Sequence, residues 1–463
     1  MTPRNPRSPA VSQASPQIGA AEVSAPPAAA GTTTTAAPPA PQQATVAPTP
    51  SSATSEAGAK APAQKKMNTP QRLRLLSLGV VVVGVVVGLI GTLTFAYLAA
   101  SLSRAKADTA QLIRVQKIQS NLLSADATAT NAFLVGGLEP PAQRAAYESA
   151  ISSTSSLIAE AARAQSADGE ALAALNQQVV SYAATIEQAR ANNRQGLPVG
   201  AQYLRNASAQ LRSDALPIVD NLVSANATRA ADEMHAGAGF VVLVIALLAL
   251  GAVIVGQIWL ARKFRRKVNV GMLASAGVLL LIVIGSLIIV LQLRSALNQI
   301  SSGSLAAVNT AADTRIDANN AKSNESLTLI ARGSGQAFED AWKSSADAVA
   351  GNLARLTDKP ELVSQWQAYT DVHGQIRELD DGGQWDKAVA RATGSGRTSS
   401  NAAFGSFDSN LASYLDGVSQ DASNSLADEL PIMVVAAILI LLGGLAAAWL
   451  GRWGMAERLK EYR

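Results

Sequence analysis

The sequence predicts an all-α membrane protein with four transmembrane helices and two extracytoplasmic four-helix-bundle-type domains. Three observations support this fold class: four long uncharged apolar runs, a very short basic loop between the second and third runs, and helix-period apolar stripes in the segments between the other runs. Because the basic loop is too short for a folded domain, the two long segments are expected on the opposite face of the membrane.

The predicted transmembrane helices are residues 75–103, 236–261, 268–293 and 430–451. Each run exceeds the roughly 20 residues that span a bilayer, and none contains an ionisable side chain. A multi-pass protein of the cell membrane follows from these runs.

Basic residues predict the orientation. Arg72 and Arg74, the loop 262–267 and the tail 452–463 carry Lys and Arg next to the spans, which is typical of cytoplasmic flanks. Both termini are therefore expected in the cytoplasm. The net charge of +4 reflects these flanks, since segment 104–235 holds 11 basic and 12 acidic residues and segment 294–429 holds 11 and 18. Nucleic-acid binding is not indicated.

Residues 1–70 are rich in Pro, Ala and Thr, and they are predicted to form a disordered cytoplasmic leader. Two interpretations stay open: a plain tether, which we favour, and a docking or phosphorylation segment with Thr69-Pro70 and the threonines 32–35 as candidates. The chain has no cysteine, so disulfides, thiolate metal sites and a lipoprotein anchor are excluded.

The first extracytoplasmic domain, 104–235, reads as a helical bundle. Its first helix is expected to continue from the membrane to Val135 and to break at Gly136-Gly137. Three further helices are expected over 142–165, over 170–195 and from 201 to the second span, the last bent near Pro217. A stripe at three- and four-residue spacing marks the buried face of the first helix: Leu112, Val115, Ile118, Leu122, Ala125, Ala129 and Phe133.

The second extracytoplasmic domain, 294–429, repeats this plan without evident residue identity. A long helix from the third span is expected to reach Ala331 and to break at 332–335. The remaining helices are predicted over 336–356, 361–379, 384–393 and 401–429.

Enzyme activity is not predicted. The chain contains neither a dinucleotide-binding nor a P-loop glycine motif, and its two histidines, His235 and His373, lie in different domains. A multi-histidine metal site is thus excluded, and no cofactor is expected. The acidic pairs Glu339-Asp340 and Asp380-Asp381 are interpreted as solvated surface or turn residues.

A transporter is not favoured either, because transporters usually carry ionisable groups within their spans. The sequence GVVVG at 84–88 would permit close contact between two helices, although such matches also arise by chance in Gly-rich apolar runs.

The glycine- and proline-rich breaks collect at the ends of the domains that are distal from the membrane. Loops held on a rigid scaffold are common binding sites, and plain helix reversal is an equally open interpretation. The candidate partner-binding residues at these tips are Gly136, Gly137, Asn192, Asn193, Arg194, Arg332, Gly333, Asp380 and Asp381.

The basic loop is the candidate cytoplasmic contact. Its residues are Arg262, Lys263, Arg265, Arg266 and Lys267. Anionic membrane lipid would bind such a loop at about 1 kcal/mol per basic residue, and we favour that role over an effector contact for the loop alone.

Three sequence strings carry a family resemblance. QSNLLSADATATNAFLVGG at 119–137, continuing through Glu139 and Tyr147, resembles the four-helix-bundle sensor domains of bacterial chemoreceptors. With ANNRQGLP at 191–198 and NESLTLIARG at 324–333, the chain is similar to the actinobacterial GlnX family over most of its length after about residue 70. Unlike ordinary chemoreceptors, it has no HAMP module and no methylated signalling hairpin.

The resemblance implies a membrane protein that relays amino-acid availability (aspartate, glutamate or glutamine) from an extracytoplasmic solute-binding lipoprotein to the cytoplasmic Ser/Thr protein kinase G. It leaves a homodimer open. The alternative hypothesis, from another class, is a scaffolding membrane protein that organises an envelope complex without signalling.

Overall fold

The computed structural model describes residues 69–234, 239–264, 269–356 and 358–460, and these residues are helical with connecting turns and no strand. The helices are α1 (Thr69–Val135), α2 (Pro141–Ala164), α3 (Gly169–Arg194), α4 (Val199–Gln210), α5 (Leu216–Met234), α6 (Gly239–Phe264), α7 (Val270–Gln299), α8 (Leu305–Ile330), α9 (Gln336–Leu353), α10 (Pro360–Asp381), α11 (Trp385–Thr393) and α12 (Ser400–Lys460). The predicted fold class is confirmed. Of the leader 1–70 that was predicted to be disordered, residues 1–68 lie outside the described residues, and Thr69 and Pro70 begin α1.

Four helical stretches are long and apolar enough to cross a membrane: Gln71–Val135, Phe240–Arg262, Val270–Ile330 and Ser400–Glu457. The protein is therefore a multi-pass membrane protein. Three of the stretches continue far beyond the apolar run that qualifies them. At 1.5 Å per residue the 67 residues of α1 measure about 100 Å, so one unbroken helix joins a membrane span to the distal end of the first domain.

The spans of α1 and α12 approach each other through small residues. A Cβ atom added to Gly84 would lie 2.7 Å from the backbone nitrogen of Ala448, and one added to Gly444 would lie 2.5 Å from the Cα of Gly88. Such distances are shorter than real Cβ contacts, so only glycine fits there. The GVVVG segment thus makes the close helix contact that its sequence permits. Pro431 lies inside α12 near the start of the fourth apolar run.

The first domain is a four-helix bundle of α1, α2, α3 and the rod formed by α4 and α5. All residues of the predicted stripe on α1 are buried or half-buried, and all except Leu112 pack against apolar residues of the other three elements. The chain reverses near the membrane at a single 3-10 turn, Ser166–Asp168, and reverses twice at the distal end.

The second domain packs α8, α9, α10 and α12 around an aromatic core, with the short α11 at its distal end. Trp366 lies 4.9 Å from Tyr369 and 5.0 Å from Phe407 between ring centroids. The repeated plan of the two domains is therefore architectural, since the first core is mostly aliphatic.

Two π-helical segments interrupt rods that were expected to be regular α-helix. Leu211–Ala215 separates α4 from α5, and Ile300–Ser304 separates α7 from α8. The first segment ends two residues before Pro217, whose missing N–H removes one α-helical hydrogen bond. The irregularity expected at Pro217 is thus a π-segment in the turn before it.

The two domains share a long face along α1, which packs against α8 and α12 as well as against its own bundle. Ile113 of α1 belongs to the apolar core of the second domain, and Leu134 packs with Leu329 at the distal end. We call this contact between α1 and α8 or α12 the seam. An apolar pattern in the sequence does not predict the seam, because many of the residues that form the seam are polar.

Candidate sensor tip and interdomain seam

The distal ends of the two domains lie side by side, and we call them together the distal tip. The distal tip consists of the turns 136–140, 195–198 and 331–335, the segment 382–399 that contains α11, and the residues that flank them. Gly136 and Gly137 end α1 with φ of 69° and 60°, a left-handed conformation that favours glycine. Gly136 and Gly137 lie beside the second turn of their domain, and Arg332 lies beside Trp385 at the start of α11. The structure therefore places together the tip loops that the sequence singled out.

The distal tip exposes apolar side chains. Outside the apolar spans and the residues next to their ends, the exposed large apolar side chains among the described residues are Val135, Leu138, Leu197, Val199 and Val180. All except Val180, which lies halfway along α3, belong to the distal tip, and Leu138 is 85% exposed. We call Val135, Leu138, Leu197 and Val199 the tip patch. An exposed apolar patch on an otherwise polar domain marks an interaction surface.

A cavity of about 340 Å³ opens inside the tip of the first domain. It is lined by Phe133, Gly137, Leu138, Glu139, Pro141, Arg144, Arg190, Asn193, Arg194 and neighbouring small residues. The Arg190 guanidinium lies 4.1 Å from the ring centroid of Tyr147 and donates to Glu139 Oε1 (2.9 Å) and Glu187 Oε1 (2.6 Å). The charge of Arg190 is therefore already neutralised within the domain.

A second cavity, of about 450 Å³, lies where both domains meet at the distal tip, and we call it the seam pocket. Its lining combines Phe133, Leu134, Gly136, Asn193, Gly196, Leu197, Pro198 and Ala201 of the first domain with Ile330, Arg332 and Trp385 of the second. The pocket has the size and the mostly apolar lining of small-ligand sites.

The predicted tip residues have different environments. Asn192 donates to Gln188 O within its own helix (2.8 Å), Asn193 donates across to Phe133 O (3.1 Å), and Arg194 is exposed. In the second domain, Asp380 and Asp381 accept from the two nitrogens of Arg377 (2.7 and 2.6 Å). They form a local ion-pair fork at the end of α10, and both belong to the helix rather than to the turn that was predicted; Asp381 is exposed and Asp380 is half-buried.

The seam is held at its centre by a buried carboxylate. Asp126 of α1 is fully buried and accepts hydrogen bonds from four side chains: Tyr182 Oη (3.3 Å), Ser208 Oγ (2.5 Å), Arg212 Nη1 (3.0 Å) and Ser323 Oγ (2.7 Å). The first three belong to the first domain, and Ser323 belongs to α8 of the second. Arg212 lies in the π-helical segment and also donates to Ser323 (3.2 Å). Asp126 therefore ties together both domains and a non-α segment.

Further polar contacts follow the seam toward both ends. Gln116 donates to Asn309 Oδ1 (2.9 Å), and Asn401 donates to Asn131 Oδ1 (2.8 Å). The ammonium of Lys117 lies 2.6 Å from Asp416. Hydrogen-bonded contacts of this kind fix one register between packed helices.

The second domain buries a charged cluster in its interior. His373 places Nδ1 3.1 Å from Glu325 Oε2 and Nε2 3.3 Å from Glu339 Oε2, and its ring stacks on Trp342. Glu325 also accepts from Lys322 (2.7 Å) and Ser400 (2.6 Å). The expectation that Glu339 is a solvated surface residue is wrong, because its carboxylate faces His373 at 7% exposure.

The electrostatics of this cluster favour the charged forms of Glu325 and His373, whereas burial lowers the pKa of the Lys322 ammonium. Burial opposes a charge on His373, but hydrogen bonds to Glu325 and Glu339 outweigh it and raise the pKa of the imidazole above its ordinary 6.5. Burial likewise opposes a charge on Glu325, yet Lys322 and His373 hold the pKa of its carboxyl well below the ordinary value. The cluster therefore stabilises the domain as a set of mutually paired ions.

A buried carboxylate also lies at the membrane-proximal turn of the first domain. Asp168 accepts from Gln111 Nε2 (3.1 Å), Asn226 Nδ2 (2.9 Å) and Arg229 Nη2 (2.5 Å). Burial would raise the pKa of Asp168, but these donors overcome it and lower the pKa.

Within the described part of the chain, no group of His, Cys, Asp or Glu residues is arranged to hold a metal ion. The candidate cytoplasmic contact is only partly described: Arg262 is exposed at the end of α6 and Lys263 follows it in the helix. Arg265, Arg266 and Lys267 lie outside the described residues, as does His235.

The comparisons with known proteins address the first domain. Residues 101–235 match the family model of the actinobacterial sensor domain. The match begins in α1, at the end of its apolar run, and ends at the start of the second span, so it covers the whole first domain. It supports an actinobacterial sensor protein with a role in sensing or signalling. Searches of curated proteins and of solved structures gave no match.

Proposed function

We propose that this protein is a non-catalytic transmembrane relay that senses amino-acid availability outside the cell through a solute-binding lipoprotein docked on the distal tip. It passes the signal to a cytoplasmic Ser/Thr protein kinase, for which the resemblance to the GlnX family suggests kinase G. The observation that carries the proposal is the continuity of α1, which links the tip patch at Val135 to a membrane span without interruption.

The orientation within this proposal rests on charge. Arg72 and Arg74 at the start of α1 and Arg452 near the end of α12 are exposed at the same end of two packed helices. The positive-inside rule assigns that end to the cytoplasm. The tip patch then faces the outside, where a lipoprotein tethered to the outer leaflet reaches it, and the basic loop faces a cytoplasmic effector or anionic lipid.

The mechanism requires only a small relative movement. A protein that contacts both domains at the distal tip favours one placement of α1 against α8 over another. Both helices lead into spans, so a shift or rotation of one against the other reaches the inner face. The polar seam and the two π-helical segments are the parts of the bundle best suited to permit that movement.

A cysteine crosslink near the membrane tests the proposal. Leu102 and Met234 are buried in the same apolar cluster, and the natural chain contains no cysteine to interfere. In cells that carry the lipoprotein, we expect the oxidation rate of the Leu102→Cys/Met234→Cys pair to change when aspartate, glutamate or glutamine is added.

The tip patch supplies the matched controls. Leu138→Asp should abolish the response to the amino acid, because it places a charge in the docking surface. Val180→Asp makes the same change at an exposed apolar residue outside the distal tip and should leave the response intact. A crosslinking rate that stays the same with and without added amino acids, in the parent pair and in both variants, would contradict the relay and favour the scaffold.

A further inference from the structure

The seam pocket joins the two domains at the point farthest from the spans. Its apolar floor comes from Phe133 and Leu134 at the end of α1 and from Ile330 at the end of α8. These residues belong to the final turns of α1 and α8, two of the helices that form the seam. A molecule in this pocket therefore touches the ends of both helices.

Arg332 is the only charged residue of the described chain that lines the seam pocket, and its backbone is unusual. Its φ is 41°, which makes it the one non-glycine residue with positive φ among the described residues. It follows the end of α8 at a place where glycine or asparagine is the ordinary choice. A strained backbone conformation at a residue with a large side chain supports a functional role for that side chain.

The guanidinium of Arg332 is held in place but is not neutralised. It lies 3.9 Å from the ring centroid of Trp385, and the indole is itself fixed by a hydrogen bond from Nε1 to Leu329 O (2.9 Å). No carboxylate of the described residues forms an ion pair with Arg332, in contrast to Arg190 in the neighbouring cavity. A guanidinium that stacks on an aromatic face keeps its N–H edge free for a planar anion.

We propose that the seam pocket binds a carboxylate carried on an apolar group, with the carboxylate on the Arg332 edge and the apolar group on the floor. The lining offers no carboxylate for an ammonium group, so the pocket selects an acid rather than a free amino acid. The inference deepens the proposed function and rests on it for its role in signalling. The ligand is either a free organic acid or an acidic side chain with an apolar neighbour, presented by the docked lipoprotein.

Binding there biases the seam. The ligand contacts Arg332 and Trp385 of the second domain together with Leu197 of the first, so its affinity depends on their separation. By linkage, the ligand stabilises the arrangement that places these groups within reach of it.

Ligand-observed saturation-transfer NMR on the full chain in nanodiscs tests the site. The probes are 3-phenylpropanoate, acetate as a carboxylate without an apolar group, and phenethylammonium as an apolar group with the opposite charge. We expect 3-phenylpropanoate to bind, acetate to bind far more weakly and phenethylammonium not to bind. Arg332→Gln should weaken binding of the acid by about tenfold or more, as expected for losing a charge-assisted pair.

Two variants separate binding from folding. Arg397→Gln removes an equal charge from an exposed residue of the distal tip outside the pocket lining, and it should leave binding unchanged. Arg332→Gly relieves the positive-φ strain, so it should keep or raise the melting temperature while the acid no longer binds. Equal binding of the acid and the amine, binding unaffected by Arg332→Gly, or no binding of any probe would overturn the proposal.

The source of the carboxylate is distinguished by a capped Phe-Asp-Phe peptide. Tighter binding of 3-phenylpropanoate than of the peptide assigns a free acid, and the reverse order assigns an acidic side chain. Failure of the relay is separable from failure of the site. If the Leu102–Met234 crosslink responds normally in Arg332→Gly, the relay stands without the pocket, whereas probe binding without any crosslink response leaves a pocket without a relay.

Discussion

The two domains share a helical plan, but the buried carboxylates at their centres, Asp126 and Glu325, have different kinds of partner. The carboxylate of Asp126 in the first domain faces outward into the seam and bonds to Ser323 of the second. The charged cluster around Glu325 in the second domain faces inward, and its partners all belong to that domain. We infer from this comparison that the contact able to adjust lies at the seam, on the first domain, and that the second domain serves as the more rigid base.

The largest expected effect comes from breaking the inward cluster. Glu325→Leu leaves Lys322 and His373 as buried cations without their shared carboxylate, and we expect the free energy of unfolding to fall by about 3–5 kcal/mol. Thermal denaturation measures the loss. Hydrogen exchange should rise in α8, α9 and α10 and stay unchanged in α2 and α3, and Glu378→Gln, an exposed change on α10, is the control.

Breaking the seam comes next in size. Asp126→Ala removes the acceptor that four donors share, and because Arg212 is partly exposed and keeps its bonds to Ser208 O and Ser323 Oγ, we expect a smaller loss of about 2–3 kcal/mol. Hydrogen exchange should rise on both sides of the seam, in α1, α3 and α8. Asp214→Ala alters an exposed carboxylate of the same π-helical segment and should change neither the free energy of unfolding nor the hydrogen exchange along the seam. Identical exchange patterns for Asp126→Ala and Glu325→Leu would erase the distinction between the domains.

The pH dependence sharpens the comparison further. The pKa of His373 is raised in the folded state, so its contribution to stability is complete below pH 6.5 and is lost as the pH rises through the raised pKa. Burial and the neighbouring Asp313 also raise the pKa of Asp317 to about 6, so a second contribution in this domain is lost between about pH 4 and 6.

In the first domain, Asp168 acts in the opposite direction. Its pKa is lowered, so its contribution is present above the ordinary 3.8 and is lost only as the pH falls through the lowered pKa. Raising the pH from 6.5 to 8 should therefore destabilise the second domain and leave the first unaffected, as measured by their protection from hydrogen exchange. His373→Gln should flatten that response, and a first domain that loosens in parallel would count against this account.

The smallest effect on stability belongs to the tip patch. Leu138 is almost fully solvated, so Leu138→Asp should change the free energy of unfolding by less than about 0.5 kcal/mol, as should Val180→Asp. Chemical denaturation checks both variants. A large loss in Leu138→Asp would mean that the patch is structural and would remove the reason to treat it as a docking surface.

The parts of this fold that were predictable have local signals. Uncharged runs gave the spans, and the glycines after Val135 gave the end of α1, because backbone freedom and apolar length act within a few residues. The stripe on α1 identified its buried face, since three- and four-residue spacing is a property of one helix.

The parts that were missed depend on distant partners. Asp126 contacts residues of four other elements in two domains, and its neighbours in the sequence do not show which distant donors it meets. Glu339 was interpreted as surface for the same reason. Their common signal is a charged residue at the spacing of an apolar helix face: Asp126 lies four residues after Leu122 and three before Ala129, and Glu339 lies three residues before Trp342.

Double electron–electron resonance, which measures the distance between two nitroxide labels, tests most directly whether the seam moves. Ser224→Cys on α5 and Ser301→Cys on the π-helical segment before α8 place exposed labels on opposite domains near the membrane, in a chain with no natural cysteine. We predict that the amino-acid-loaded lipoprotein shifts the distance distribution in nanodiscs and that Asp126→Ala changes the distribution before the lipoprotein is added. An unchanged distribution, measured while the lipoprotein is demonstrably bound, would contradict the account.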